Sequence, residues 1–152
     1  MAGRETPATR AAREAGVTFA LHEYEHDARA DSYALEAAEA LGLEPDRVFK
    51  TLVAARADDL VVCVVPAGER LNLHAVGKRA AMAPTDRAER VTGYVAGGIS
   101  PLGQRRALPT LVDEWALVHD TIFVSAGRRG LEMELAPADL VALTRAEVRR
   151  LS

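Results

Sequence analysis

The stretch Leu60–Pro66 reads Leu-Val-Val-Cys-Val-Val-Pro, an uninterrupted apolar run that follows Asp58-Asp59. A strand wetted on one face alternates apolar and polar residues. This run does not alternate, so it predicts a strand covered on both faces, with the acidic pair marking the turn into it. The preceding stretch 47–55, Arg-Val-Phe-Lys-Thr-Leu-Val-Ala-Ala, predicts a neighbouring strand. Cys63 is the only cysteine, which excludes an internal disulfide and a cysteine zinc cluster. Its apolar setting predicts a buried structural thiol.

Around that pair, helix and strand signals are mixed. Thr6-Pro7 predicts an N-cap followed by proline at the first helical position, for a helix that stops at Gly16. Residues 17–24 read as a strand in which Phe19 and Leu21 alternate with smaller or polar residues. Residues 32–42 read as a helix rich in Ala, Leu and Glu, closed by Gly42. Asn72 predicts the cap of a helix through Met82, and 84–93 a shorter helix ended by Gly93. Residues 94–109 are dense in glycine and proline and predict a loop. Residues 121–126 and 131–135 read as strands joined by Gly127-Arg128-Arg129-Gly130. In the second, Leu131, Met133 and Leu135 point inward, with Glu132 and Glu134 on the other face. Pro137 opens a helix through Leu143, and Thr144 with Glu147 matches a capping box for a last helix over 144–152. The expectation is one α+β domain over 1–152, with a core of about 6–143 and a mixed, mostly antiparallel sheet surrounded by helices.

The net charge of −3 argues against a protein that coats a long stretch of nucleic acid. The basic residues come in pairs instead: Lys78-Arg79, Arg105-Arg106, Arg128-Arg129 and Arg149-Arg150. One or two pairs suffice for a small anionic target such as the end of an RNA. No apolar run approaches the roughly 20 residues that span a bilayer, and Met1–Arg10 lacks the apolar region of a secretory signal. A cytosolic protein with no membrane partner is expected.

Four segments carry candidate chemistry. In Val48–Val53, Lys50 lies in an otherwise apolar or β-branched strand. By itself it reads as a side chain that snorkels to water. At the mouth of a pocket it is a point charge for phosphate, or for charge developing on a carbonyl. In Ala96–Gly103, adjacent glycines let a ligand approach the backbone, whose N–H groups can bind an anion. That segment is not a P-loop, because no Gly-Lys-Ser/Thr follows, and not a nucleophile elbow, because Ser100 is followed by Pro101. In His22–Asp27, His22 and His26 lack a third strong ligand, so no metal is expected, whereas Tyr24 offers a hydroxyl at a strand end. In Ser125–Leu135, the paired arginines read as solvated surface that would also suit RNA phosphates. No Ser-His-Asp or Cys-His arrangement emerges.

The same segments, with the stretches 92–106 and 121–140, resemble the YbaK/EbsC family, in particular its YbaK branch of Cys-tRNA(Pro) deacylases. The resemblance runs from about Thr6 to about Leu143. It implies a compact mixed-sheet or partial-barrel domain, related to the editing domain of bacterial prolyl-tRNA synthetases. It implies removal of cysteine mischarged on proline tRNA, in trans, beside prolyl-tRNA synthetase, with no metal or other cofactor. The family's lysine falls on Lys50, its substrate-facing tyrosine on Tyr24 and a pocket aromatic on Tyr33. The Gly-Gly loop falls on Gly97 and Gly98 with Ile99 and Ser100, the serine before the hairpin on Ser125, and an acidic position on Glu132. Relatives often carry glycine where this chain has Ala126, and Asp where it has Glu132. A positive φ at Ala126 would strain the loop. In that branch the substrate's own thiol is thought to attack its ester. Two rival readings stay open: a related deacylase that clears another amino acid, such as alanine, with a bound water, and a non-catalytic module that binds aminoacyl-tRNA or a synthetase.

Overall fold

The computed structural model describes residues 4–27 and 32–152, so the first three residues of Met1–Arg10 lie outside them. The apolar run is β3 (Asp59–Pro66), which pairs antiparallel with β2 (Phe49–Arg56) from Phe49 opposite Pro66 to Arg56 opposite Asp59. The tip falls one residue earlier than expected, with Ala57 at a φ of 52°. Both faces of β3 are covered. Leu60, Val62 and Val64 enter the main core, while Val61, Cys63 and Val65 enter a second cluster with Val76, Leu111 and Leu151. Burial pushes the Cys63 thiol up to about 11, as befits an inert structural residue.

This hairpin is the centre of a five-stranded sheet. β4 (Ala81–Met82) flanks β2, and β5 (Thr110–Asp113) and β8 (Glu147–Arg149) continue beyond β3. The β3–β5 and β5–β8 pairs are parallel. A three-stranded antiparallel sheet is ordered β1 (Phe19–Glu23), β7 (Leu131–Leu135), β6 (Ile122–Arg128). The main core lies between the sheets, with Phe49, Val53, Val62 and Val64 meeting Ile122, Val124, Leu131 and Met133. Among the described residues a single isolated parallel bridge, Val48 to Phe123, links them at one edge, and no strand pairing closes a barrel. The expected α+β architecture, mixed and mostly antiparallel, is what forms.

Helix signals hold where capping is local. In α1 (Pro7–Glu14), Thr6 Oγ1 accepts the Thr9 N–H at 3.1 Å and Thr9 Oγ1 accepts the Thr6 N–H at 2.8 Å. α2 (Tyr33–Leu41) starts at Ser32, whose hydroxyl accepts the Leu35 N–H, and ends at left-handed Gly42. Its Ala37 and Ala38 cover the outer face of the three-stranded sheet with Val48, Ala67 and Phe123.

Three expectations need correction. The helix from Asn72 is a single turn, α3 (Leu73–Val76), and the rest of that segment yields β4, which pairs with Ala54 and Ala55. The next helix, α4 (Thr85–Thr92), is as expected and ends at Gly93. Residues 110–113, unassigned from sequence, form β5. The predicted last helix over 144–152 is absent. Helix α5 (Pro137–Thr144) ends with Arg145 at a φ of 54°, and the tail then forms β8. The Thr144 hydroxyl donates back to the Leu140 carbonyl instead of capping a new helix. Leu151 is fully buried, and its N–H donates to Asp113 at 3.1 Å, so the core extends past the predicted limit of 143.

Candidate active site

A cavity of about 370 Å³ opens beside the N-terminal end of β2. Of the candidate residues, Tyr24, Tyr33, Lys50, Gly97, Ile99, Ser125 and Glu132 line it. Five separate parts of the chain meet there: the end of β1, the start of α2, β2, the glycine loop and the β6–β7 hairpin.

Lys50 is partly buried and makes no ion pair with any described residue. Burial lowers its ammonium below the usual lysine range, against a smaller opposing pull from Glu69. An amine held this way is stabilised by an incoming anion or carbonyl oxygen. Next to it, the buried Thr51 hydroxyl has no hydrogen-bond partner among the described residues, although it borders the cavity. Buried polar atoms are seldom left alone, and a ligand or water in the cavity would complete it.

Across the cavity, Glu132 is 5% exposed and forms no side-chain hydrogen bond with any described residue. Burial raises its carboxyl to about 8, so it is largely protonated at neutral pH. Alternation placed Glu132 on the outer face of β7, and it is there. Ser125 stands opposite it in the β6–β7 register, and Tyr24 and Tyr33 line the same cavity. Burial, and then the Glu132 charge, push the Tyr24 hydroxyl up to about 12. The Ser125 hydroxyl accepts the Gly127 N–H at 3.2 Å and has no histidine or carboxylate partner among the described residues.

The glycine loop divides more sharply than the sequence suggested. Gly97, with a φ of +86°, lines the cavity, and its N–H and that of Ile99 make no hydrogen bond with any described residue. Gly98 and Ser100 do not line it. The Gly98 N–H is spent on the Val95 carbonyl at 2.8 Å, and a Cβ there would sit 2.9 Å from the Arg128 Cα. Ser100 is fully buried, with its hydroxyl accepting the Leu102 N–H and its carbonyl accepting from Gln104. Both residues shape the loop, and neither has a side chain or free N–H at the cavity wall. Ala126 is unstrained, because the positive φ falls on Gly127 at 109°.

The histidines are engaged elsewhere, His22 with Glu134 at 3.0 Å and His26 with Glu36 at 2.8 Å. Among the described residues no group of three or more His, Cys, Asp or Glu could hold a metal ion, and no helix is long and apolar enough to cross a membrane.

The model of the aminoacyl-tRNA editing domain family matches residues 29–143. The chain belongs to that family. A relative in Enterococcus faecalis, EbsC, named as a candidate Cys-tRNA(Pro)/Cys-tRNA(Cys) deacylase, is 39% identical over 129 residues, covering 80% of this chain and 79% of its own. YwhH of Bacillus subtilis, which has no assigned role, is 27% identical over 110 residues, covering 69% and 70%. Among solved structures, a candidate trans-editing enzyme for prolyl-tRNA synthetase superposes with a TM-score of 0.80 at 26% identity, over 97% of this chain and 98% of that one. The hypothetical protein APE2540 superposes at 0.85 and 26% identity, over 96% and 99%.

Sequence reasoning passed over Thr51, which lines the cavity of this editing domain, and Arg129, which holds its glycine loop. Thr51 was placed only as a neighbour of Lys50, and the signal for it was adjacency alone. Arg129 was read as hairpin surface, yet its guanidinium reaches the Ala96 carbonyl through Nε at 2.9 Å and through a terminal nitrogen at 2.6 Å.

Proposed function

We propose that this editing domain removes cysteine mischarged onto proline tRNA, acting in trans, with the substrate thiol as the nucleophile. The observation that carries the reading is a cavity lined by an amine and a buried carboxyl, with no serine or cysteine of its lining hydrogen-bonded to a histidine or carboxylate among the described residues. A cysteinyl ester brings its own nucleophile, whose ordinary pKa of about 8.5 leaves some thiolate at neutral pH. The thiolate attacks the ester carbonyl carbon. The new S–C bond closes a cyclic thioester, the C–O bond to the ribose breaks, and the ribose oxygen takes up a proton to replace the one lost by the thiol.

The protein then supplies position and electrostatics. Lys50 holds the terminal ribose–phosphate or the ester oxygen. The unpartnered N–H groups of Gly97 and Ile99 approach the carbonyl, with Gly98 and Ser100 shaping the loop behind them. Tyr24, Tyr33 and Ser125 enclose the small aminoacyl group, and its α-ammonium supplies the partner that Glu132 lacks. The net charge of −3 suits loose contact with the tRNA body, with prolyl-tRNA synthetase as the partner that presents it.

Deacylation of proline tRNA charged with Cys, Ser, Ala or Pro tests this reading. Cysteine is released and serine spared, because a hydroxyl is a far weaker nucleophile. Rapid release of serine would sink the thiol scheme and favour a bound water. The orphaned Thr51 hydroxyl could hold such a water. No release of any amino acid would leave a binding module.

A further inference from the structure

The Gly98 N–H bonded to the Val95 carbonyl closes a four-residue turn with Ala96 and Gly97 at its centre. Ala96 does not have a positive φ, whereas Gly97 lies at +86°. Those signs of φ, with the closing hydrogen bond, match a type II turn. A type I turn over the same residues keeps the closing hydrogen bond and needs a φ near −90° at Gly97. The two forms differ mainly by a flip of the central peptide, and glycine tolerates both signs of φ. Backbone preference at Gly97 therefore does not select between them. Something outside the turn must.

Arg129 meets that requirement. Its guanidinium donates twice to the Ala96 carbonyl, at 2.9 Å and 2.6 Å. The guanidinium also lies over the Tyr33 ring, 4.6 Å from its centroid. Tyr33 in turn presses on Gly97 so closely that a Cβ there would sit 2.6 Å from the ring. On the other side, the Ala96 N–H is pinned by Glu89 at 2.7 Å. In a planar trans peptide the carbonyl and the following N–H point in opposite directions. Holding the Ala96 oxygen on Arg129 therefore turns the Gly97 N–H away from Arg129. Gly97 lines the cavity and Arg129 does not.

We propose that Arg129 is a positioning residue that latches the Ala96–Gly97 peptide with its oxygen turned away from the substrate and its N–H available to the reacting carbonyl. Released, the peptide flips and presents an oxygen where a donor is needed. The latch requires a flat, two-point donor that also stacks, which lysine cannot provide. For its kinetic consequence the proposal rests on the editing reading above; for its structural consequence it does not.

The test compares the parent with Arg129→Lys and Tyr33→Leu. The three-bond HN–Hα couplings of Gly97 report φ directly, with or without activity. In Arg129→Lys they shift toward values averaged over both turn types, and in Tyr33→Leu they shift less. Unchanged couplings in both variants overturn the latch. On Cys-charged proline tRNA, Arg129→Lys loses about 100-fold in kcat, the scale of removing one donor from a reacting oxyanion, with KM and its salt dependence unchanged. If Arg129 served as a phosphate contact instead, KM would rise, the salt slope would fall by about 1 and lysine would largely rescue, which overturns the proposal. A parent inactive on every charged tRNA would refute the editing reading and leave the couplings to decide the latch.

Discussion

Glu132 and Glu134 lie two residues apart on the same face of β7, yet their carboxyls are driven in opposite directions. Glu134 accepts from the Thr121 hydroxyl at 2.6 Å, meets His22 at 3.0 Å and has Arg47 at 3.7 Å. That company, with the Thr121 hydrogen bond foremost, holds its carboxyl below the usual range. Glu132 lies deeper, has no such partner among the described residues and is raised to about 8. His22 sits opposite Glu132 in the β1–β7 register but gives its ring to Glu134. The pair teaches that neither residue type nor strand face sets a charge. Burial and hydrogen-bond partners do. Glu134 is settled structure, whereas Glu132 is a destabilised group at a cavity wall, the arrangement expected where a ligand is to be met.

The largest effect expected from breaking this contrast comes from Glu132→Gln. Unfolded, the Glu132 carboxyl ionises near 4.5; folded, near 8. The folded chain therefore binds more protons than the unfolded one across that interval, and Glu132 erodes stability as pH rises through it. Glutamine removes the penalty, so urea unfolding finds the variant more stable by roughly 4 kcal/mol at pH 8. The gain vanishes below pH 4.5; a gain independent of pH would show that Glu132 is not raised.

Glu134→Gln acts the other way and more weakly. With the folded value lowered, its stabilisation is present above the unfolded pKa near 4.5 and is lost as pH falls through the folded value. The group is partly exposed, so the variant loses about 1 kcal/mol at pH 7 and nothing in strong acid. Equal unfolding curves at pH 7 would mean that the His22–Thr121–Arg47 cluster contributes no net stability.

The smallest change sharpens the comparison. Thr121→Val deletes the first cause of the Glu134 shift and the Arg47 bond to the same hydroxyl, while the Arg47 bond to the Thr121 carbonyl and the His22 contact remain. The Glu134 titration midpoint, followed by carboxyl-carbon NMR, moves upward, at a stability cost of roughly 0.5 kcal/mol. An unmoved midpoint would assign the shift to the charges instead.

The alternation in β7 was legible in the sequence, and it put both glutamates on the correct face. It could not show that one end of that face is buried beside the cavity while the other stays partly open, because Tyr24, Tyr33 and Ser125, which share the cavity with Glu132, come from distant parts of the chain. The glycine pair behaved similarly. Two adjacent glycines announced close approach. Gly97 approaches the cavity, whereas Gly98 approaches the backbone of Arg128, which only the packed hairpin decides. Lys50, Tyr24, Tyr33, Ser125 and Glu132 were all expected at one site and do converge, whereas Ser100 was not separable from them by motif.

What the sequence by itself determined was local or periodic. The unbroken apolar run of β3 required cover on both faces. Thr6 and Ser32 set helix starts through hydrogen bonds three residues long, and Gly42 and Gly93 set helix ends through a φ that other residues resist. What only the tertiary structure decided depends on partners distant in sequence. β8 exists because β5 offers a free edge and Asp113 captures the Leu151 N–H, so a capping-box pattern at Thr144 lost to a strand. The charge of Glu132, the duty of Arg129 and the division between Gly97 and Gly98 follow from the same cause. Desolvation and hydrogen bonding act over a few ångströms of space, and the residues that supply them are brought that close only by the fold.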